Sequence, residues 1–222
     1  MHSRIQIEIE PALRGVVRLG VIEGEGLHIR DHDARMWEEI DRLAQRLKAL
    51  YTGREPSQVE ALAPARELYK RVGMDPTRYR PSSEALLRRV LRDQGLPRIN
   101  TLVDVNTWCS LEFLLPIGLH DLDKVGGDLL LRRGTAGEGY EAIGRGWFSL
   151  EGKLTLADQL GPCGSPTSDS QRTMITLNTR RCLMVIYAPA SYPPDRLSNH
   201  VRVAAERIAQ YNGGQIVGTA LL

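Results

Sequence analysis

The chain has 222 residues, of which 42% are hydrophobic and 25% are charged. This length allows one large domain or two small ones, and the apolar content supports a substantial core. The formal net charge is only +2, which excludes a polycation, so any contact with nucleic acid requires a local basic patch. The sequence has no apolar run of about 18 residues and no apolar signal core near its start, which predicts a cytoplasmic protein without membrane contact.

Cysteine usage predicts buried free thiols. Cys109, Cys163 and Cys182 are odd in number and far apart, and no two of them have the C-x-x-C spacing. This pattern indicates neither a zinc knuckle nor a disulfide framework.

The first sixty residues predict two strands and a helix. Residues 5–10 alternate between apolar and polar, which is typical of a half-buried strand, and residues 16–22 form a more apolar second strand. Asp31 or Asp33 is then placed to cap a helix. Apolar residues recur at steps of three and four along it and indicate one buried face: Trp37, Ile40, Leu43, Leu47 and Leu50.

Three further helices are predicted in the middle of the chain. The second spans 58–72 and ends at Gly73, and the third follows 81–83, where a serine can cap the free amides and Glu84 suits the positive helix end. The fourth spans 104–113. The inner face of the third helix is expected to consist of Leu86, Leu87, Val90 and Leu91.

The last hundred residues are predicted to be mainly strands separated by glycine-rich turns. A closing helix follows over 195–211, and a terminal strand over 215–221 is expected to return to the N-terminal strands. Helices early and strands late indicate the α+β class, and no linker is evident, so we predict a single domain over 1–222. The short apolar runs interpreted as strands are 129–131, 154–156, 174–177 and 182–187.

Two blocks carry a resemblance to a known family. The first is VDVNTW at 103–108 with PIGLHDLDK at 116–124, and the second is GPCGSPTSDSQRT at 161–173. In this order and at this separation they resemble the B3/4 domain, the editing domain in the β chain of phenylalanyl-tRNA synthetase. The similarity is clearest over 66–189, with N-terminal strands and a helix before it (1–60) and a closing helix and strand after it (195–222).

The resemblance implies a fold and a reaction. The fold would be a single domain of the B3/4 type, with mixed β-sheets in a sandwich flanked by helices. The reaction would be trans-editing, in which a wrongly attached amino acid, tyrosine or another, is removed from aminoacyl-tRNA by attack of a positioned water on the ester. An aminoacyl ester is already activated, so positioning and oxyanion stabilisation suffice, and neither a metal nor another cofactor is expected.

The first block assigns candidate substrate contacts. Asn106 and Thr107 fall where the family carries Thr-Asn, and they either hydrogen-bond the substrate's ammonium or ribose or cap a helix. Gly118 falls on the family's site histidine, whereas His120 lies two residues later. Either His120 reaches the same pocket as a catalytic group, or the protein lacks that group. Arg98 lies one residue after a family arginine and is a further candidate contact.

The second block aligns with the family's G-G-x-x-S-E loop. Gly164, Ser168 and Asp169 fall on its first glycine, its serine and its glutamate. Gly164 and Ser168, together with Arg172, are therefore candidate substrate-binding residues. In the family the glutamate of this loop lies in the editing pocket and helps to select tyrosine through its hydroxyl. The resemblance therefore implies that Asp169 lies in the pocket, where we assign it as the catalytic carboxylate, the alternative being a turn or cap residue. Arg172 is interpreted as a group that holds Asp169 or a phosphate, or as a plain surface arginine, and Asp158 as a second carboxylate or a turn residue.

A basic stretch precedes the candidate site. Residues 66–98 hold nine Lys or Arg and four acidic residues, which favours either a phosphate-binding surface or a solvated helix face. Aromatic residues make up 5% of the chain, so extensive base stacking is not expected. The residues assigned to an RNA-binding patch are Arg78, Arg80, Arg88, Arg89 and Arg92.

Three functions remain open at this level. The first is editing of aminoacyl-tRNA, with the aminoacylated 3′ end of tRNA as partner and association with an aminoacyl-tRNA synthetase left open. The second is a non-catalytic module that binds tRNA or an amino acid with the same fold, because fold alone does not establish activity. The third is an esterase or amidase acting on small aminoacyl compounds without RNA.

Overall fold

The computed structural model describes residues 5–222 and forms ten strands and five α-helices over that range. The helices are α1 (Ala34–Tyr51), α2 (Ala63–Arg71), α3 (Ser82–Leu91), α4 (Thr101–Phe113) and α5 (Pro194–Asn212). The strands are β1 (Ile7–Ile9), β2 (Val17–Glu25), β3 (Ile117–Asp121), β4 (Leu129–Arg133), β5 (Gly139–Ala142), β6 (Gly146–Ser149), β7 (Leu154–Asp158), β8 (Gly161–Gly164), β9 (Arg181–Pro189) and β10 (Gln215–Leu221).

The larger part of the core surrounds an antiparallel sheet of order β10-β2-β9-β3. The strand β2 pairs with β9 along its whole length, and β10 returns beside it, with Ala220 opposite Val21. The predicted return of the terminal strand is therefore confirmed. Because both ends of the chain contribute to this sheet, the arrangement agrees with the single domain predicted over 1–222, which stays a prediction.

A second sheet of order β1-β4-β7-β8 packs against the first, with β1 parallel to β4 and the other pairs antiparallel. Alternation along β9 separates two cores. Leu183 and Val185 point into the core between the sheets, together with Leu131 and Leu156 of the second sheet. The intervening Met184 packs against helices on the opposite face. The predicted α+β class, with mixed sheets in a sandwich flanked by helices, is confirmed.

The register of β3 decides which of its side chains face the second sheet. Gly118 lies opposite Val185 and His120 lies opposite Leu183, so both share the face directed between the sheets. Leu119 points to the helical side. The strand β3 is also an edge strand, since β9 is its only partner in the sheet among residues 5–222, and its outer amides are available to other groups.

Two helices begin at positions that the sequence only partly predicts. Asp33 caps α1 by accepting a hydrogen bond from the Met36 amide at 3.0 Å, in agreement with one of the two predicted caps. Leu50, which was predicted to lie on the buried face of this helix, is 59% exposed and does not belong to it. The helix predicted over 58–72 begins only at α2, after two 3-10 turns. Pro64 is the reason, because it lacks an amide hydrogen and its ring blocks an α-helical turn before it.

The caps of α3 and α4 differ from the predictions. Ser82 and Ser83 lie inside α3, and neither caps it; Glu84 instead accepts a hydrogen bond from Arg66 at 2.7 Å. The helix α4 begins three residues before the predicted position, because the side chain of Asn100 accepts from the Val103 amide at 3.0 Å. Positions 106 and 107 are consequently in mid-helix, and the interpretation of these two residues as an N-cap is wrong.

The closing helix and the cysteines behave as predicted, whereas one predicted strand is absent. Leu197, Val201 and Ile208 of α5 are buried, and the three cysteines are buried and unpaired. Residues 174–177 form no strand, and the backbone of Thr176 is bonded locally instead: its amide donates to the Thr179 hydroxyl at 2.9 Å and its carbonyl accepts from the Thr179 amide at 3.1 Å. No helix within residues 5–222 has both the length and the apolarity needed to span a membrane.

Candidate active site

The candidate site forms where edge strand β3 meets the loop that follows β8. His120 of β3 is completely buried, and Asp169 lies in that loop, with its side chain 15% exposed. The Oδ2 atom of Asp169 accepts a hydrogen bond at 3.0 Å from the backbone amide of Leu119, fifty residues earlier in the chain. The interpretation of Asp169 as a local turn or cap residue is therefore wrong, because its carboxylate satisfies the free edge of β3.

The hydrogen bonds of His120 define its tautomer. Its Nδ1 atom lies 3.0 Å from Thr173 Oγ1, and that hydroxyl donates to the carbonyl of Cys163 at 3.3 Å. We assign the threonine proton to this carbonyl, which places the imidazole proton on Nδ1, from where it is donated to Thr173. Burial, and then the charge of Arg172, lower the pKa of His120 to about 4. At neutral pH the ring is uncharged, and Nε2 presents a lone pair.

The pKa of the Asp169 carboxyl group lies near neutral pH. Burial raises this pKa to about 7, although the hydrogen bond from the Leu119 amide partly opposes this effect. The Leu119 amide donates to Oδ2. The other oxygen, Oδ1, lies 3.9 Å from Nε2 of His120, and both of these atoms are buried without a hydrogen-bond partner among the described residues. A carboxyl group with this pKa exists in both protonation states at pH 7, which suits general base catalysis.

A third polar atom, which the sequence motifs did not indicate, belongs to Tyr187 of β9. Its hydroxyl is buried and has no partner within residues 5–222, and burial, then the charge of Asp169, raise its pKa well above the usual value. A Cβ built on Gly118 would lie 3.2 Å from Asp169 Oδ1, 3.2 Å from His120 Nε2 and 3.3 Å from the Tyr187 hydroxyl. The available signal was a tyrosine in a strand whose inward neighbours are aliphatic, since a buried hydroxyl normally requires a partner.

The absence of a side chain at Gly118 gives His120 its position. The imidazole reaches back along β3 into the space that a side chain at 118 would occupy. Gly164 provides the opposite wall, where a Cβ would lie 2.5 Å from His120 Cε1 and 2.9 Å from Asp169 Oδ1. These separations are too short for any larger residue at 164 without displacement of the histidine or the loop.

Ser168 contributes to the site through its backbone. Its carbonyl accepts from the hydroxyl of Tyr140 at 2.5 Å and from that of Ser165 at 2.9 Å. Its amide donates to Ser165 Oγ at 3.2 Å. These bonds fix the residue that immediately precedes Asp169, and a direct contact of Ser168 with substrate stays a prediction.

Arg172 binds Asp158 and not Asp169. Its two terminal nitrogens each lie 2.9 Å from an oxygen of Asp158, and they also donate to the carbonyls of Lys124 and Gly161 at 3.0 and 3.1 Å. The expectation that Arg172 holds Asp169 is therefore wrong. Burial raises the pKa of Asp158, but the hydrogen bonds of Arg172 and of backbone amides outweigh this effect and lower it overall. The pair anchors the site loop to β7.

The remaining candidates of the first block are not joined to His120 or Asp169 by a hydrogen bond or ion pair within residues 5–222. The side-chain oxygen of Asn106 is buried without a partner in that range, and Thr107 is buried beside it in α4. Arg98 stacks on the ring of Trp37 at 4.4 Å and approaches Asp41 at 3.4 Å, so it is directed towards α1. Substrate contacts by these residues stay predictions.

Arginines of the basic stretch crowd together on α3. Burial, and then the charges of Arg80 and Arg92, lower the pKa of Arg88. Arg88 and Arg92 also line a surface pocket of about 220 Å³ together with Arg54. Arg88 of α3 therefore has two like charges near it, with Glu84, 3.7 Å from Arg80, and Glu55 of the same pocket as counter-charges.

The other two arginines of the predicted patch have local partners. Arg78 lies over the ring of Tyr79 at 5.1 Å, and Arg89 donates to the carbonyl of Gly95 at 2.7 and 2.9 Å. The helix itself touches the site loop, because its first amide, that of Ser82, donates to the carbonyl of residue 166 at 3.2 Å. The basic helix and the loop of Asp169 are therefore neighbours.

The fold and site define a mixed α+β protein with a desolvated carboxyl–imidazole pair between two sheets. The sequence profile of the B3/4 domain matches residues 64–206. The chain belongs to the B3/4 domain family, and the resemblance stated from its two blocks is confirmed.

Curated relatives are phenylalanine–tRNA ligase beta subunits. The protein from Neisseria meningitidis serogroup B is 27% identical over 132 residues, which cover 55% of this chain and 17% of the relative. The protein from Bartonella quintana is 33% identical over 92 residues, 40% of this chain and 11% of the relative. The chain thus spans less than a fifth of these relatives. Among solved structures, an N-terminal fragment of the phenylalanyl-tRNA synthetase beta-subunit from Pyrococcus horikoshii covers 97% of this chain and 51% of its own, with 13% identity and a TM-score of 0.49.

Proposed function

We propose that this protein hydrolyses the ester bond of a wrongly attached amino acid on tRNA, acting in trans. The observation that carries the proposal is the buried pair of Asp169 Oδ1 and His120 Nε2, 3.9 Å apart, with the carboxyl pKa raised to about 7. A desolvated base that titrates near neutral pH suits the activation of water. The activated ester needs no stronger nucleophile. Membership of the B3/4 family and the identity of the curated relatives support tRNA as the substrate.

The two groups have different roles in this reaction. Asp169 is the general base in its ionised form, with Oδ2 held by the Leu119 amide so that Oδ1 is directed at the site. His120 stays neutral because its pKa is about 4, and it orients the water by accepting a hydrogen bond. Thr173 keeps the imidazole in the tautomer that leaves Nε2 unprotonated.

The basic side of α3 is the proposed entry route for the tRNA acceptor end. Arg80, Arg88 and Arg92 supply closely spaced positive charge, and the start of the helix is hydrogen-bonded to the loop that carries Asp169. Phosphate contacts of this kind give affinity without sequence selectivity and depend strongly on salt.

A second candidate function is a binding module without turnover. The observation in its favour is the closure of the site, since His120 and Tyr187 are 0% exposed. Admission of an aminoacyl group therefore requires movement of the loop 165–170. A protein in which that loop does not open would bind RNA on α3 and leave the ester intact.

The test is single-turnover deacylation of a panel of aminoacyl-tRNAs, including phenylalanine tRNA charged with tyrosine. The wild type is compared with Asp169→Asn and with Asp195→Asn, an exposed carboxylate in the first turn of α5. We expect Asp169→Asn to lower the rate by about 100-fold or more and Asp195→Asn to have no effect. Binding of tRNA without turnover by the folded wild type would transfer the assignment to the binding module. Turnover of small aminoacyl esters that is insensitive to salt would indicate an esterase.

A further inference from the structure

Three buried polar atoms without partners converge at one point of the site. Nε2 of His120, Oδ1 of Asp169 and the hydroxyl of Tyr187 are each buried and unpartnered among the described residues. All three lie within 3.3 Å of the position where a Cβ on Gly118 would project. Buried polar atoms are costly unless they are hydrogen-bonded, so their convergence indicates a polar guest.

The hydrogen-bonding capacities of these atoms restrict the guest. Nε2 is an acceptor, because the Thr173 interaction holds the imidazole proton on Nδ1. The ionised carboxylate of Asp169 is a second acceptor, and the hydroxyl of Tyr187 has a proton to donate. A guest that satisfies all three therefore carries two donor hydrogens and at least one acceptor lone pair.

We propose that Tyr187 is a positioning residue of this site and that its hydroxyl, with Nε2 of His120 and Oδ1 of Asp169, binds a single water molecule. The 3.9 Å between Nε2 and Oδ1 is a span that one oxygen atom bridges. The water donates to both acceptors and accepts from Tyr187, which leaves one lone pair directed away from the three groups. An ammonium group has no lone pair and leaves the tyrosine proton unpaired, so it fits less well.

This inference deepens the proposed function and rests on it for the catalytic part. The remaining lone pair of the water attacks the carbonyl carbon of the ester while Oδ1 of Asp169 takes one of its protons. Collapse of the tetrahedral intermediate breaks the bond between the carbonyl carbon and the ribose oxygen, which leaves with the proton held by Asp169. The products are the free amino acid and tRNA with an intact terminal hydroxyl, and the enzyme groups return to their initial protonation states.

The test combines structure and kinetics on the full chain. A crystal structure of the wild type at a resolution that reveals ordered solvent is expected to show one water within hydrogen-bonding distance of all three atoms. In Tyr187→Phe the water is absent or displaced, the single-turnover rate at saturating enzyme falls by about 10- to 100-fold, and the half-saturating concentration is unchanged. The control is Tyr192→Phe, which removes a buried hydroxyl paired with His200 at 2.9 Å and is expected to leave the rate unchanged.

Other outcomes overturn the inference. A direct hydrogen bond between Tyr187 and Asp169 without an intervening water, an ion at the point of convergence, or an unchanged rate in Tyr187→Phe would each do so. If Tyr187→Phe does not fold, Gly118→Ala serves instead, because a methyl group at 118 displaces the water while the three side chains remain. A wild type that binds the water and shows no turnover contradicts the proposed function and leaves the water site established.

Discussion

At the scale of single residues, two opposing effects act on the pKa of Asp169. Its carboxylate is hydrogen-bonded by the Leu119 amide, which favours the ionised form, yet burial dominates and raises the pKa to about 7. His120, 3.9 Å away, is held neutral by the same burial. Desolvation thus favours the uncharged form of both groups, and the pair carries at most one charge at neutral pH.

The first prediction concerns the pH dependence of the reaction. We expect the single-turnover rate of deacylation to rise with pH through about 7 and then level off, because the base is active only when Asp169 is ionised. His120 adds no inflection in this range, since its pKa is about 4. The measurement is the rate from about pH 5.5 to about pH 8.5, each value corrected for spontaneous ester hydrolysis. A profile with no inflection near 7 would contradict the assignment of Asp169 as the base.

The second prediction concerns stability. The pKa of Asp169 in the folded protein is about 7, above its ordinary value of 3.8, so the stabilisation that the protonated carboxyl provides is fully present below 3.8 and is lost as pH rises through 7. Asp169→Asn is therefore expected to unfold with nearly the wild-type free energy at about pH 4. At about pH 8 it should be more stable than the wild type, by on the order of 4 kcal/mol at most.

Urea unfolding of both proteins at the two pH values measures this difference. Asp195→Asn is the matched control, and it should show no such dependence because its carboxylate is exposed. An equal effect of Asp169→Asn at the acidic and the alkaline pH would mean that the carboxyl titrates normally in the folded protein.

At the scale of elements, the edge strand β3 and the loop after β8 depend on two glycines with different tolerances. A Cβ at Gly118 meets polar atoms at 3.2 to 3.3 Å, whereas a Cβ at Gly164 meets His120 Cε1 at 2.5 Å. The close contacts of a Cβ at Gly118 are relieved if the neighbouring side chains shift by a few tenths of an ångström. A Cβ at Gly164 requires the buried imidazole to leave its bond with Thr173.

The third prediction follows from this difference between the glycines. Gly118→Ala should lower the catalytic rate with a stability loss below about 1 kcal/mol, and Gly164→Ala should lower the rate and also cost about 1–3 kcal/mol of stability, as overpacking of a core does. Thermal unfolding and single-turnover deacylation are measured for each variant. If Gly164→Ala retains wild-type stability, the imidazole is not held as tightly as its packing indicates.

At the scale of the whole molecule, the net charge of +2 conceals a local concentration of arginines. The pKa of Arg88 is lowered, first by burial and then by the nearby positive charges of Arg80 and Arg92. A cluster of like positive charges at a protein surface attracts phosphate.

The fourth prediction is that Arg88→Gln combined with Arg92→Gln weakens tRNA binding and lowers its salt dependence. Removal of one phosphate interaction reduces the slope of log K against log salt by about 0.7 to 0.9. Arg202→Gln is the control, because this exposed arginine of α5 is paired with Glu206 at 2.6 Å. Binding isotherms at several salt concentrations give the slopes, and an unchanged slope in the double variant would remove α3 from the RNA-binding surface.

Local sequence patterns were sufficient for most elements. Periodicity in α5, alternation near the N-terminus and the apolar run of β9 each depend on neighbours within a few residues, and the structure follows them. The predictions failed where a local pattern had a competing local partner. Pro64 delays the start of α2, and the hydrogen bonds of a threonine turn replace the strand predicted at 174–177.

Some residues of the candidate site could likewise be proposed from the sequence, and others could not. The second sequence block proposed Asp169 by its alignment with the family's loop, and the first proposed His120 only as a candidate, because Gly118 falls on the family's histidine and His120 lies two residues later. The two blocks did not identify Tyr187, the pairing of Arg172 with Asp158, or the bond from the Leu119 amide to Asp169.

These interactions join residues from different elements of the fold, and those around His120 exist only because the register of β3 on β9 places Gly118 and His120 between the sheets. Composition and periodicity therefore predicted the fold class, and the resemblance of the two blocks to a known family predicted the family and pointed to Asp169 as a candidate carboxylate. Burial in the folded molecule decided the direction in which the pKa values of Asp169 and His120 shift and left the Tyr187 hydroxyl without a partner among residues 5–222, since desolvation is a property of the packed molecule and not of any segment of its sequence.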